Sequence, residues 1–119
     1  MPSLVLQTNV KVPDVGAWAN EFSKLSAEFL GKPELYISVS YNYDENLSFG
    51  GTFEPAFLLT ITSLDNINPE VNEKYSKIIF DHFQKTLGTP GNRGYVVFND
   101  PGRDFMGHKG TTVAAIFGN

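Results

Sequence analysis

Apolar and polar positions alternate along this chain with two different periods, and the periods take turns. Residues 3–10, SLVLQTNV, mix apolar and polar side chains at a step of about two, the period of a half-buried strand. Val15, Trp18, Phe22, Leu25 and Phe29 then recur at steps of three and four, which marks one face of a helix. Asp14 stands where an N-cap accepts from the first turn, and Gly31, with Pro33 beyond it, stands where a helix stops. Residues 34–43, ELYISVSYNY, return to the β-branched and aromatic composition of a strand. A glycine-marked loop, SFGGTFEP at 48–55, follows.

The order then repeats. Residues 56–64, AFLLTITSL, read as a strand, and 68–88 as a helix with Asn68 as N-cap and Pro69 at its first position. Val71, Tyr75, Ile78, Ile79 and Phe83 mark the face expected to be buried. RGYVVFN at 93–99 reads as another strand, and the tail from Met106 is expected to add short extended pieces. LGKP at 30–33 is echoed by LGTP at 87–90. The pattern predicts a single domain over 1–119 with an internal repeat, roughly 1–56 and 57–119. Two β-α-β units sharing one sheet give an α+β fold: a four-stranded mixed sheet with two antiparallel helices on one face.

That arrangement leaves the other sheet face uncovered. Ser38, Ser40 and Asn42 alternate with Ile37, Val39 and Tyr41, and Thr60 and Thr62 with Leu59 and Ile61. The second face is therefore small and polar but uncharged. A solvated face ordinarily carries more lysine and glutamate, so association of several copies is favoured over a two-layer monomer.

Composition narrows the chemistry. The chain has 119 residues, 41% hydrophobic and 18% charged, with a net charge of −4. This suits one soluble domain, and no basic stripe marks a nucleic-acid or anionic membrane surface. The absence of cysteine excludes disulfides, thiolate metal sites and thiol nucleophiles. His82 and His108 are the only histidines, so neither a metal nor a cofactor is expected. The first residues show no basic segment and no long apolar run, which makes a signal peptide or spanning helix unexpected and a cytoplasmic location the default. SFGG and PGNRG are turns rather than phosphate cradles, because neither leads into a Lys-Ser/Thr pair.

Pro2 is the chemically unusual residue. Once Met1 is removed it presents a secondary amine at the start of a strand. An ordinary α-amino group titrates at about 7.7–8.0, and a neighbouring cation with partial burial lowers that value. Such an amine is a general base near neutral pH. The bland alternative is that proline after the initiator only permits Met1 removal; a retained Met1 turns the nitrogen into an amide and abolishes the base. Lys32 is the cation of the GKP turn, whereas the matching turn carries Thr89, so turn geometry does not demand it.

PSLVLQTNV at 2–10, GKP at 31–33 with Tyr36 and Ile37, FGG-T-F-EP at 49–55, N-E-K-YSK at 72–77 and NR-G-Y at 92–95 occur in one order over nearly the whole length. As a set they resemble the macrophage migration inhibitory factor (MIF) family of the tautomerase superfamily. The resemblance implies a homotrimer around a central channel, with sites at subunit interfaces. It also implies cofactor-independent keto–enol tautomerisation, an isomerase reaction, on phenylpyruvate- and dopachrome-like substrates, above all small aromatic α-keto acids. Carried over by position, Pro2 is the base and Lys32 holds the substrate carboxylate or keto oxygen. Leu64, after Ser63 at a strand end, offers its backbone N–H. Tyr36 lines the mouth, Tyr95 of a neighbouring subunit faces the aromatic ring, and Met106 and Val113 form apolar walls. The family also contains cytokine-like ligands secreted without a signal peptide, so the second reading is a signalling ligand for a protein receptor. Three departures stand out. A family Cys-x-x-Cys is Ala56-Phe57-Leu58-Leu59 here, an asparagine near the neighbour's tyrosine is Val97, and an aromatic wall is Val113.

Overall fold

The computed structural model describes residues 1–118. Alternation along β1 (Ser3–Thr8) turns Leu4, Leu6 and Thr8 to one face, all fully buried. The same face receives Phe57, Leu59 and Ile61 from β3 (Phe57–Thr62), Val39 and Tyr41 from β2 (Ser38–Tyr43), and Val96 and Phe98 from β4 (Gly94–Asn99). The strand order is β2-β1-β3-β4. The outer pairs are parallel and the central β1/β3 pair antiparallel, with Ser3 opposite Thr62 and Thr8 opposite Phe57. The sheet is therefore mixed, as the duplicated unit requires.

Helices α1 (Val15–Leu30) and α2 (Pro69–Leu87) cover that face. Each starts on a side-chain cap: Asp14 accepts from the Ala17 N–H and Asn68 from the Val71 N–H. Each stops at a left-handed glycine, Gly31 and Gly88, both with φ 65°. The core is aromatic: Phe57 meets Phe83 edge-on at 4.7 Å, and Trp18 lies 5.2 Å from Phe22. Gly94 is fixed by this packing, because a Cβ there would stand 2.2 Å from the Phe57 ring. His82 stacks on Phe22 at 5.7 Å, and burial holds its imidazole below the usual value.

The buried helix faces differ from expectation. Val15 and Ile78 are 45% and 38% exposed, while Ser26, Leu30 and Leu87 lie inside. Both buried rows advance strictly by four, through Trp18, Phe22, Ser26 and Leu30 and through Tyr75, Ile79, Phe83 and Leu87. Such a row drifts about 40° per step, so it winds along the helix as a twisted sheet demands. The repeat also has a seam. Gly31 matches Gly88, but upstream Ser3 matches Phe57 and Val15 matches Pro69, since α2 has 19 residues and α1 has 16. β1 ends at Thr8 rather than Val10, and 34–36 form a 3-10 turn rather than strand. The tail holds more than extended pieces: a 3-10 turn (Arg103–Phe105), a short hairpin of β5 (Gly107–His108) and β6 (Thr111–Thr112), and a terminal helix α3 (Val113–Phe117).

The uncovered face is as uncharged as the sequence suggests. Ser3, Ser38, Ser40, Asn42, Thr60 and Thr62 share it with the exposed apolar Val5, Leu58, Tyr95 and Val97. Among the described residues no helix is long and apolar enough to cross a membrane.

Candidate functional site

The first residues are built into the sheet. The Pro2 carbonyl accepts the Ser38 N–H at 3.0 Å, which extends the β1/β2 pairing to the second residue, and Pro2 is fully buried. Beside it β3 runs out into Ser63, Leu64 and Asp65. The Ser63 N–H donates to the Asn99 carbonyl at 3.0 Å and the Asp65 N–H to the Asp100 carboxylate at 3.0 Å. Neither bond uses the Leu64 N–H between them. Asp65 has a left-handed backbone, φ 67°, which turns the chain across the strand end. Behind it, Asn66 accepts from the Ser63 hydroxyl at 2.6 Å and donates to the Leu30 carbonyl at 2.9 Å. The loop carrying Leu64 is thus fastened to the end of α1. The Gly31 turn then delivers Lys32 to the same place, and a 3-10 turn (Glu34–Tyr36) places Tyr36 there.

These pieces enclose a cavity of about 320 Å³ lined by Met1, Lys32, Pro33, Tyr36, Leu64, Asp65, Arg103, Val113 and Phe117. That is enough room for a small aromatic acid. Met1 and Tyr36 also border a second hollow of about 380 Å³, which reaches Pro2, Met106, Gly107 and His108. Among the described residues the one ion pair joins Arg103 to Asp65 at 2.8 Å, so among the side chains of the cavity the Lys32 ammonium is the uncompensated cation. The N-terminal amine of Met1 is held below its ordinary value of 8.0, first by burial and then by Lys32. Arg103 adds to the depression, while Asp65 and Asp100 oppose it. No cluster of three His, Cys, Asp or Glu suited to a metal occurs among the described residues.

Of the residues singled out in the sequence, Pro2, Lys32, Tyr36, Leu64, Met106 and Val113 gather at this end of the sheet. Ser63 sits behind the wall, fully buried, with its hydroxyl committed to Asn66. Tyr95 lies elsewhere. It pairs with Leu58, four residues or about 13 Å along β4 from Asn99, and it is 65% exposed on the uncovered face against Phe49. Within one chain it does not reach the cavity. Sequence reading missed Asp65, Arg103 and Phe117. The ion pair spans 38 positions, and α3 has five residues, too few for a visible period.

Residues 1–114 match the family profile described as Macrophage migration inhibitory factor (MIF). The chain belongs to the MIF family. It is 41% identical over 113 residues to a MIF homolog of Trichinella spiralis, covering 94% of this chain and 99% of that protein. It is 32% identical over 117 residues to MIF of Xenopus tropicalis, covering 96% and 100%. Among solved structures, MIF of Trichinella spiralis superposes with a TM-score of 0.87 at 39% identity, over 92% of this chain and 98% of that one. The MIF homologue of Prochlorococcus marinus gives 0.87 at 28% identity, over 93% and 98%. The four-stranded mixed sheet with its helices is therefore the MIF fold, and the family is broadly consistent with isomerase chemistry.

Proposed function

We propose that this chain is a cofactor-independent keto–enol tautomerase for phenylpyruvate-like aromatic α-keto acids, with dopachrome-like substrates as the related class, and that Pro2 is its base. One observation carries the reading: the chain start is anchored by the Ser38 N–H beside a cavity whose uncompensated charge is Lys32. Loss of Met1 converts the Pro2 nitrogen from an amide into a secondary amine. Partial burial at the strand start and the nearby Lys32, which depress the Met1 amine, would push a Pro2 amine in the same direction.

Neutral Pro2 then takes the proton from the carbon next to the keto group. The C–H electron pair forms the enolate, and Lys32 offsets its charge or that of the carboxylate. The Leu64 N–H is a donor for the developing oxyanion. The protonated proline returns its proton to the enolate oxygen, and the reverse path returns it to carbon. Tyr36 borders the mouth, and Val113 and Met106 supply apolar walls. In a homotrimer joined through the uncharged sheet face, Tyr95 of a neighbouring subunit would reach the ring of the substrate.

The test combines intact mass, which reports Met1 removal, with the rate of phenylpyruvate enol–keto conversion and light scattering for three chains. A processed trimer with a rate well above buffer is the expected result. A processed trimer at background rate would reject the reading and leave the cytokine-like ligand for a protein receptor in its place.

A further inference from the structure

Arg103 lines the cavity, yet its charge is already committed. Nε and Nη2 each lie 2.8 Å from Asp65 Oδ2, and Nη1 donates to the Gly118 carbonyl at 2.9 Å and the Phe117 carbonyl at 3.4 Å. The guanidinium therefore ties the loop after β3 to the end of α3. Its planar fork can satisfy both partners at once, which a point-charge ammonium does less well. What this tie holds in place is Phe117, 55% exposed and forming one wall of the cavity. Val113, one turn earlier on the same helix, is buried, lines the same cavity, and is fixed by its N–H to the Met106 carbonyl at 2.8 Å.

We infer that the Asp65–Arg103 pair is a positioning device that presents Phe117 as the aromatic wall of this site, and that Phe117 sets the preference for ring-bearing over small keto acids. The inference rests on the tautomerase reading for its substrates but not for its binding test. Val113 is too small to offer a ring face, and Phe117 offers one from a neighbouring position on α3. With Arg103 neutralised by Asp65, Lys32 is left to meet one anionic group. The matched ligand is a monocarboxylic acid with an aromatic end. A dicarboxylic one would leave its second charge unpaired.

The experiment compares kcat/KM for phenylpyruvate and for pyruvate in processed wild type, Phe117→Ala, Phe117→Tyr and Arg103→Ala. Phe117→Ala should lower the phenylpyruvate-to-pyruvate ratio by roughly fivefold to tenfold, the scale of one lost aromatic contact, mainly through KM. Phe117→Tyr should retain the ratio, and Arg103→Ala should shift it in the same direction as Phe117→Ala. An unchanged ratio in Phe117→Ala would overturn the inference while leaving tautomerase activity standing. If wild type turns over neither acid, the tautomerase reading fails by itself, and calorimetric titration with the unreactive 3-phenylpropanoate decides the inference. Binding that weakens in Phe117→Ala and is kept in Phe117→Tyr supports it; absent binding, or equal binding in wild type and Phe117→Ala, overturns it.

Discussion

The two ends of the central β1/β3 pair are built from the same unit and do opposite things. At one end, Lys32 and Tyr36 line the cavity and Pro2 borders the adjoining hollow. At the other end the equivalent places hold Ala56, Thr89 and Arg93, and the space is closed. Arg93 donates to the carbonyls of Pro55 at 2.9 Å, Glu54 at 3.0 Å and Phe49 at 3.1 Å. Asn9 donates to those of Glu54 at 2.8 Å, Phe53 at 3.1 Å and Leu47 at 3.1 Å, and accepts the Ala56 N–H at 2.9 Å. A chain that passes through a strand end carries in peptide groups that must be bonded. At the closed end those groups are bonded by Arg93 and Asn9, while at the open end Lys32 and Tyr36 border a cavity.

The comparison can be broken most severely by making the open end resemble the closed one. One alanine inserted between Met1 and Pro2 converts the Pro2 nitrogen permanently into an amide and displaces the new amine by about 3.3 Å. Tautomerase rate should fall to background with the fold intact by circular dichroism; Pro2→Gly, which keeps an amine in place, should fall between this variant and wild type.

Lys32→Thr installs the residue of the other half. Phenylpyruvate binding should weaken by about 1.5–3 kcal/mol, the range for a bond to a charged group. The pH profile supplies a second check. The base works unprotonated, so kcat/KM should rise with pH through an amine value below the ordinary α-amino range, and losing the cation should move that limb to higher pH.

The closed end should respond in stability instead. Arg93→Ala frees three carbonyls at a partly solvated site, so urea unfolding should show a loss of about 2 kcal/mol, with kcat per folded site unchanged. The smallest effect belongs to Thr89→Val. Its hydroxyl is buried with no partner among the described residues, so the variant should be neutral or about 1 kcal/mol more stable by the same measurement.

Much of this was legible before the structure because it is local. Asp14 and Asn68 cap their helices, Gly31 and Gly88 end them, and the Ser/Thr alternation marks the uncharged face. The helix faces were read less well: apolar Val15 and Ile78 match the period yet face out, while polar Ser26 is buried because a row of four passes through it. Within the site, Pro2, Lys32 and Leu64 sit in short recognisable stretches. Asp65, Arg103 and Phe117 do not, since their association depends on a left-handed residue, a 3-10 turn and a five-residue helix folding back together. Tyr95 illustrates a further limit of local reading, for its proposed role across an interface would leave no mark on its own strand.

The burial of Pro2 has a consequence for biosynthesis. A peptidase that trims Met1 must reach the bond to Pro2, which the finished sheet buries. Yet β1 is central, and its partners extend to Tyr43 and Thr62. At about 5–20 residues per second, the ribosome takes several seconds to supply them. During that interval β1 has nothing to pair with, and its first residues trail free in solution. For the proposed Pro2 base, trimming of Met1 would then best precede sheet closure, and the strand order leaves time for it.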